Sequence, residues 1–374
     1  MDAYIEACLG LCRVAAQGER ALLKLLKVAS PVRVWRADAS TLRSWGVNAS
    51  VAARFAKRRD AYSGAETEAA MKAGGLWFVP VGADLYPPDL MDLDAPPAGL
   101  FIRGTEERLR DLLARPRLTM VGTRKASPYG LAAAASFAAG FGRSGIAVVS
   151  GLALGIDGQA HRGCLRAGGL TAAVLGCGAD VVYPRYHRRL YADVEREGLL
   201  LSELPPGTPP APWHFPERNR IMAALGDALL VAEAGFKSGA MGTADWSLRL
   251  GRQVMSVPGP ILGESYKGCN ELIYDGATPA LDPDRAVEDF LRETRNSRGR
   301  RGAGLTASMP RPPAEGLGPV ERLLTLALAN GTLSVDQLAD VAGVNVREAA
   351  AALCRLELRG EVARAGPGSF RLVS

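Results

Sequence analysis

The amino-acid sequence predicts an α/β protein whose central parallel sheet is flanked by a small helical N-terminal domain and a winged-helix-like C-terminal domain. Three observations lead to this prediction. Short apolar runs alternate with helical stretches between about residues 76 and 290, glycine-rich turns follow several of those runs, and the chain ends in two helices and a hairpin. Alternating strands and helices are typical of a Rossmann-like, doubly wound sheet.

The chain length and composition set the expected number of domains. A chain of 374 residues exceeds what one hydrophobic core usually organises. With 48% apolar and 22% charged residues, the chain has an ordinary globular composition. We therefore expect a helical domain over residues 1–70, a Rossmann-like domain over 76–294, a basic glycine- and proline-containing linker over 295–315, and a winged-helix-like domain over 316–374.

The N-terminal segment has a short helical pattern. Its apolar residues 22–28 stop at Ser30 and Pro31, and a turn at Gly46 precedes a helix over residues 49–61. Paired short helices joined in this way resemble a degenerate helix-hairpin-helix or sterile-alpha-motif unit. A small all-helical packing module is an equally good interpretation.

The middle segment contains the candidate strands of the sheet. Ser127 and Pro128 form an N-cap and a first helical proline, which predicts a helix from there to Phe141. Similar helices fit between the other apolar runs. The candidate strands are residues 118–121, 146–149, 171–175, 199–201, 228–231 and 253–257.

The C-terminal segment predicts a winged helix. One helix starts near Val320, a second covers residues 346–358, and a hairpin joins residues 361–364 to 370–373. The second helix carries only Arg347 and Arg355 as basic residues. Because duplex-reading helices present several basic or amide side chains, we favour protein interaction or packing for this domain over base reading.

Charge and cysteine content narrow the function classes. The net charge of +6 and the sequence pI near 9.1 favour polyanionic partners, although the tilt is mild. The six cysteines form no C-x-x-C pair and only three histidines are present, so no metal site and no cofactor are expected. No apolar run approaches the roughly 20 residues that span a bilayer, and a cytoplasmic location is expected.

Two glycine-bracketed turns follow predicted strands. Gly122 and Thr123 precede Arg124, and Ser150 and Gly151 open the second turn. Glycine allows a tight turn and the following helix directs its positive end at the loop, so each turn suits an anion. Neither the dinucleotide fingerprint nor the phosphate-binding P-loop motif is present.

The second turn also contains a possible acid/base pair. Asp157 and His161 stand four residues apart, which would place them on one helical face. Such a pair more often caps and orients the local backbone, and we favour that interpretation.

The densest functional signal is a block of rings and cations. Trp213, His214 and Phe215 lie just before Arg218, Asn219 and Arg220. Cations beside flat rings suit an unpaired nucleic-acid strand, because phosphates meet the arginines while bases stack on a ring. An arginine-rich helix start held by carboxylates such as Glu217 or Glu233 is the alternative. A further strand ends near Lys237, Ser238 and Gly239, which extend the set of anion loops on one sheet edge.

Taken together, these motifs resemble the DNA-processing protein A (DprA/Smf) family of bacterial natural transformation over essentially the whole chain. The matching stretches are residues 122–124, 150–161, 183–184, 202–203, 214–221, 233–239, 258–259 and 268–270. The resemblance implies a dimeric, non-catalytic protein that coats incoming single-stranded DNA, protects it and helps load the RecA recombinase.

By motif, the resemblance also implies site residues. Arg124, Arg218, Asn219, Arg220 and Lys237 would contact phosphates, and Phe215 would stack on a base. The loop residues expected beside them are Gly122, Thr123, Ser150, Gly151, Ser238 and Gly239.

A different class of function stays open at this point. The stretch Gly239 to Thr243 is similar to the phosphate loops of lysine-decarboxylase-like nucleotide hydrolases, with Glu233 as the nearest candidate acid or base. Such an enzyme would release the base from a nucleoside monophosphate.

Overall fold

The computed structural model describes residues 2–304, 318–328, 333–342, 344–366 and 368–372. The chain divides into two compact units, one of residues 63–296 and one of residues 1–62 together with 297–374. The boundary at residue 62 falls earlier than the expected end of the N-terminal domain at residue 70. Helix α5 (Gly64–Gly74) therefore groups with the sheet.

The N-terminal segment is helical, as predicted. It contains α1 (Ala3–Val14), a π-helical turn (Ala15–Glu19), a 3-10 helix (Arg20–Lys27), α2 (Pro31–Arg36), α3 (Ala39–Ser44) and α4 (Ala49–Asp60). Local side chains start these helices, since Ser30, Asp38 and Asn48 each accept a backbone N–H from the first turn of α2, α3 and α4. Buried Glu19 binds Arg54 and Arg58 of α4, which ties the module together.

Nine strands of the described residues form one sheet in the order β1-β2-β6-β5-β4-β3-β7-β8-β9. The seven strands β3 to β9 run parallel to one another. Strands β1 and β2 form an antiparallel hairpin, and β2 pairs antiparallel with β6. Their bounds are β1 (Trp77–Pro80), β2 (Gly99–Arg103), β3 (Arg117–Val121), β4 (Ala147–Ser150), β5 (Thr171–Val174), β6 (Leu199–Ser202), β7 (Ala228–Val231), β8 (Gln253–Ser256) and β9 (Thr278–Pro279).

Helices follow the strands and cover the sheet. They are α6 (Glu106–Ala114), α7 (Pro128–Arg143), α8 (Ile156–Arg166), α9 (Arg188–Glu197), α10 (His214–Leu225), α11 (Gly239–Arg249), α12 (Lys267–Tyr274) and α13 (Pro283–Gly304), with 3-10 turns at Pro88–Asp92, Arg185–His187 and Glu264–Tyr266. The six strands predicted from the sequence are all present, and their apolar runs are buried because parallel sheets carry helices on their faces. Phe141 of α7 and Phe290 of α13 meet edge to face in the core, 5.5 Å between ring centroids.

Two features differ from the sequence expectation. The β1–β2 hairpin was not predicted, because a four-residue edge strand ending in proline gives a weak pattern. Helix α13 continues to Gly304, inside the segment expected to be a linker, because residues 287–298 contain neither glycine nor proline and include good helix formers. Residues 305–315 of that expected linker lie outside the described ranges.

The C-terminal domain has the predicted winged-helix order. It consists of α14 (Pro319–Leu328), β10 (Leu333–Ser334), α15 (Val335–Ala342), α16 (Val346–Leu358), β11 (Val362–Gly366) and β12 (Ser369–Leu372). Asn345 caps α16, and the three strands pair in the order β10-β12-β11. Apolar residues of its helices and strands form a separate small core. Across the described ranges, no helix combines the length and the apolar character needed to cross a membrane.

Candidate functional site

In the sheet, β4, β5 and β6 lie on one side of β3, whereas β7, β8 and β9 lie on its other side. The topological switch point of the sheet is therefore at β3. Open parallel sheets bind ligands at the carboxyl ends of strands beside such a point. A cleft lies there, formed by the loops after β3, β4 and β5 and by the start of α10. Its lining residues are Arg124, Gly151, Ala153, Leu154, Leu175, Gly176, Cys177, Tyr183, Pro184 and Phe215.

A cation and two aromatic rings form the accessible part of this cleft. The exposed Arg124 guanidinium lies 4.9 Å from the centroid of the Phe215 ring. The Tyr183 ring lies 5.4 Å from the Phe215 ring. Phe215 rests on the backbone of Gly176, where an added Cβ would stand 2.8 Å from the ring. The sequence predictions for Arg124 and Phe215 thus fall on neighbouring side chains.

The loop after β3 uses most of its own polar groups internally. The Thr123 N–H donates to the Glu233 carbonyl at 2.7 Å, and the Thr123 hydroxyl accepts the Lys125 N–H at 3.2 Å. Gly122 packs against Ile156, where a Cβ would stand 2.4 Å from that side chain. Gly122 and Thr123 therefore shape the turn, and Arg124 and Lys125 are the exposed charged residues that follow it.

The loop after β4 depends on a glycine at its end. Gly155 has a φ of +75°, and a Cβ there would stand 2.3 Å from the Thr123 carbonyl oxygen. This close approach places the start of α8 directly beside the loop after β3. Ser150, expected at the DNA surface, is fully buried and its hydroxyl donates to the Met120 carbonyl at 2.7 Å. That expectation was wrong, because the side chain points into the sheet.

Arg218, also expected to contact phosphate, is a buried structural residue. Only 4% of it is exposed, and its guanidinium donates to the carbonyls of Gly151, at 2.9 Å, and Val174. Asp157 faces it and accepts the Gly151 N–H at 3.2 Å, so both backbone groups of Gly151 are engaged. Burial lowers the pKa of Arg218 to about 10, which leaves it charged at neutral pH. The expectation that Arg218 contacts phosphate was therefore wrong. Gly151 lines the cleft with its backbone.

Arg220 is a second correction of the same kind. It is 2% exposed, forms an ion pair with Glu203 and donates to the Ala95 carbonyl at 2.9 Å. A carboxylate holds Arg220, as in the alternative considered for this arginine block, but the partner is Glu203 instead of Glu217 or Glu233.

Four expected site residues lie around the start of α11. Ser238 caps that helix by accepting the Ala240 N–H, and half-buried Asn219 donates to the Gly239 carbonyl at 3.2 Å. Asn219 therefore links α10 to the loop after β7. Lys237 is exposed on the same loop and Gly239 is open to solvent, so this loop presents one cation at the carboxyl edge of the sheet.

Glu233 fills the place where many Rossmann-like proteins bind a phosphate. Its Oε2 accepts the Ser127 N–H and hydroxyl, each at 2.9 Å, and the Tyr266 hydroxyl at 3.0 Å. The residue is fully buried at the N-terminus of α7, and a side chain at Gly130 would collide with it. Its negative charge stabilises that helix end. A carboxylate committed in this way is poorly placed to protonate a substrate.

The possible acid/base pair has a structural role. Asp157 holds the loop after β4, and His161 is fully buried with its Nδ1 2.8 Å from the Thr171 hydroxyl. Burial, with His187 and Arg218 nearby, lowers the pKa of His161 to about 3. The interpretation of these residues as local orienting groups agrees with this geometry. Among the described residues no cluster of histidine, cysteine and carboxylate side chains could hold a metal ion.

Two residues at or beside the cleft were not among the site residues predicted from the sequence. Tyr183 contributes a ring, and Arg185 directly follows the Tyr183-Pro184 wall and is exposed. The signal that could have found them is the run from Tyr183 to Arg189, in which two tyrosines stand among three arginines. A ring and a cation so close in sequence form the same pairing that drew attention to Phe215.

Comparison with known proteins identifies similar families. The family described as DNA recombination-mediator protein A matches residues 77–291, and the family described as the DprA winged helix domain matches residues 308–368. Together these matches cover the nine-stranded sheet and the C-terminal domain up to its last strand.

Curated relatives and solved structures agree with the family matches. A putative DNA processing protein DprA of Mycobacterium tuberculosis is 38% identical over 266 residues, which are 70% of this chain and 66%, just under two thirds, of that protein. Protein Smf of Escherichia coli is 34% identical over 303 residues, covering 79% of this chain and 77% of that protein. The X-ray structure of DNA processing protein A from Streptococcus pneumoniae matches with a TM-score of 0.67 at 32% identity, over 78% of this chain and 98% of that one. A Helicobacter pylori structure, described for the single-stranded DNA binding mode of its DNA processing protein A, matches with a TM-score of 0.52 at 27% identity, over 58% of this chain and 96% of that one.

Proposed function

The chain belongs to the DNA recombination-mediator protein A (DprA/Smf) family, and from this premise we propose that it processes DNA in natural transformation by binding single-stranded DNA without sequence specificity. The observation that carries the proposal is the cleft in which Arg124 lies over Phe215 beside Tyr183. The Helicobacter pylori relative, described for its single-stranded DNA binding mode, supports the same ligand.

The chemistry of the cleft suits an unpaired strand. A guanidinium can donate two hydrogen bonds to the oxygens of one phosphate. Every base has a flat face that can stack on an aromatic ring. Neither contact depends on which base is present. The cleft residues other than Arg124 are mainly apolar or backbone groups, so the site offers few hydrogen-bonding side chains for reading base edges.

Membership of the family supports further parts of the proposal. We propose that the protein shields the bound strand, helps load the RecA recombinase onto it, acts as a homodimer and needs no catalytic residue. These parts are separable in experiment. Analytical ultracentrifugation measures the oligomeric state. Loading is measured as the rate of RecA filament assembly on single-stranded DNA with and without the protein.

The nucleotide-hydrolase alternative gains no support from the site. Its candidate acid or base, Glu233, is buried at the N-terminus of α7 and accepts hydrogen bonds from Ser127 and Tyr266. Base release from nucleoside monophosphates by the purified protein would nevertheless restore that alternative.

The test compares single-stranded and duplex oligonucleotides with full-length protein at several salt concentrations. Single-stranded DNA should bind more tightly, with a slope of log affinity against log salt of about −0.7 per phosphate neutralised. Arg124→Gln should reduce the magnitude of that slope by about 0.7. Phe215→Leu should weaken binding with an unchanged slope, since stacking contributes about 1–3 kcal/mol per base without releasing counterions.

Arg143→Gln is the matched control. Arg143 is an exposed arginine in the last turn of α7, at the opposite edge of the sheet from the cleft. Its removal lowers the net charge equally and should leave the slope unchanged. Equal affinity for duplex and single strands, or equal effects of Arg124→Gln and Arg143→Gln, would contradict the proposal.

A further inference from the structure

A second basic surface lies between α8 and α9, outside the cleft. We call it the α8–α9 groove, and its charged lining consists of Arg162, Arg166, Arg189, Arg196, Asp193 and Glu197. Arg196 pairs with both carboxylates, at 3.0 Å from Asp193. Within the described residues, no carboxylate lies within salt-bridge distance of the other three arginines. The groove therefore carries an uncompensated positive charge.

The positive charges of the groove are held close together. Arg162 and Arg166 stand four residues apart on α8, which makes them neighbours on one helix face, and like charges at this spacing destabilise a helix. Arg162 is half-buried, and both burial and the charge of Arg166 lower its pKa. An anionic ligand would remove this repulsion.

Both helices that line the groove begin beside the cleft. Helix α8 begins directly after the loop that ends at Gly155, and α9 begins directly after the Arg185–His187 turn that follows the cleft wall. The two elements approach closely, since a Cβ at Gly158 would stand 2.6 Å from the His187 ring. At 1.5 Å per residue, Arg166 lies roughly 15 Å along α8 from its start at the cleft.

We infer that the α8–α9 groove binds the sugar–phosphate backbone of the same single strand where it leaves the cleft. This inference rests on the proposed single-stranded DNA binding. Three arginines without a salt-bridged carboxylate suit phosphates, and no ring is among the residues that line the groove, although exposed Tyr186 lies near Arg162. The groove therefore adds affinity and length to the site mainly through phosphate contacts. An acidic protein segment is the competing ligand, but the connection to the cleft favours the nucleic acid.

The test uses the full-length Arg166→Gln/Arg189→Gln variant, because both side chains are exposed and their loss should not disturb folding. Affinity is measured over a range of salt for oligothymidines of about 5 and about 20 nucleotides, lengths that separate a cleft-sized site from a longer track. For the longer strand the salt slope should shrink in magnitude by about 1.4, which is two phosphate contacts. For the short strand affinity and slope should match the wild type.

Controls separate this inference from the proposed function. Arg249→Gln, at an exposed arginine in the last turn of α11, should change binding of neither length, and an unchanged melting temperature verifies that the double variant is folded. A wild-type protein that binds neither strand would overturn the proposed function. A wild-type protein that binds both, together with a double variant that binds the longer strand equally well, would overturn only the groove and would leave an acidic protein segment as its ligand.

Discussion

Replacing Arg218 with methionine tests whether this guanidinium holds the cleft together or contacts DNA. The side chain is 4% exposed, donates to the carbonyls of Gly151 and Val174, and faces buried Asp157. Removing the guanidinium leaves two buried carbonyls without their donor, at about 1–3 kcal/mol each, and takes a compensating charge away from buried Asp157. For the unit of residues 63–296, about 4 kcal/mol corresponds to a fall of roughly 8–16 °C in melting temperature.

The assay combines thermal unfolding with DNA binding below the melting temperature, and Arg124→Met is the matched control. Arg218→Met should lower the melting temperature and leave the salt slope for single-stranded DNA unchanged. Arg124→Met should do the reverse, with a slope smaller in magnitude by about 0.7. Adding Asp157→Asn to Arg218→Met should recover part of the stability, since it removes the stranded charge. A stable Arg218→Met protein with a smaller slope would refute the reasoning.

Three further predictions concern the frame of the site. The folded-state pKa of His161, about 3, lies below the ordinary value of 6.5, so the unfolded chain binds a proton first and stability should fall by about 2 kcal/mol between pH 7 and 5. Denaturation at both pH values should show a smaller loss in His161→Asn, and an equal loss would contradict the assignment. Gly155→Ala should lower the free energy of unfolding by at least about 1–3 kcal/mol, measured by thermal unfolding, because φ is +75° and the new Cβ meets the Thr123 carbonyl. Gly168→Ala, with a φ of +71° and open space, is its control and should cost less. Glu233→Ala should cost about 1–3 kcal/mol by leaving buried donors unpaired, whereas retained stability with loss of a nucleotide-hydrolysing activity would indicate catalysis.

The strands of the sheet could be predicted from the sequence because their apolar runs are local signals. Ala228–Val231 was located to the residue, and Ser127 with Pro128 gave the start of α7. The β1–β2 hairpin could not be found in the same way. Its place in the sheet is set by pairing with β6, about a hundred residues further along the chain, and no local pattern encodes that contact.

The cleft was predictable in part for the same reason. Arg124 follows a strand and a glycine turn, which is enough to bring its charge to the sheet edge. Whether an arginine on α10 points outward or inward depends instead on distant partners. Asp157 precedes Arg218 by 61 residues, and Glu203 reaches Arg220 from the end of β6. The motif is the same whether such arginines touch DNA or fasten the protein.

The contact between Arg124 and Phe215 also bears on how the protein lets a strand go. In the proposed binding mode, a base that stacks on the Phe215 ring would compete with the guanidinium 4.9 Å from the ring centroid, and the displaced guanidinium would then be free to meet a phosphate. The cation–ring contact is worth about 0.5–1 kcal/mol at an exposed position, against about 1–3 kcal/mol for a stacked base. The exchange favours the bound strand only modestly. When such a strand departs, the two side chains would contact each other again, so release would leave no bare cation at Arg124.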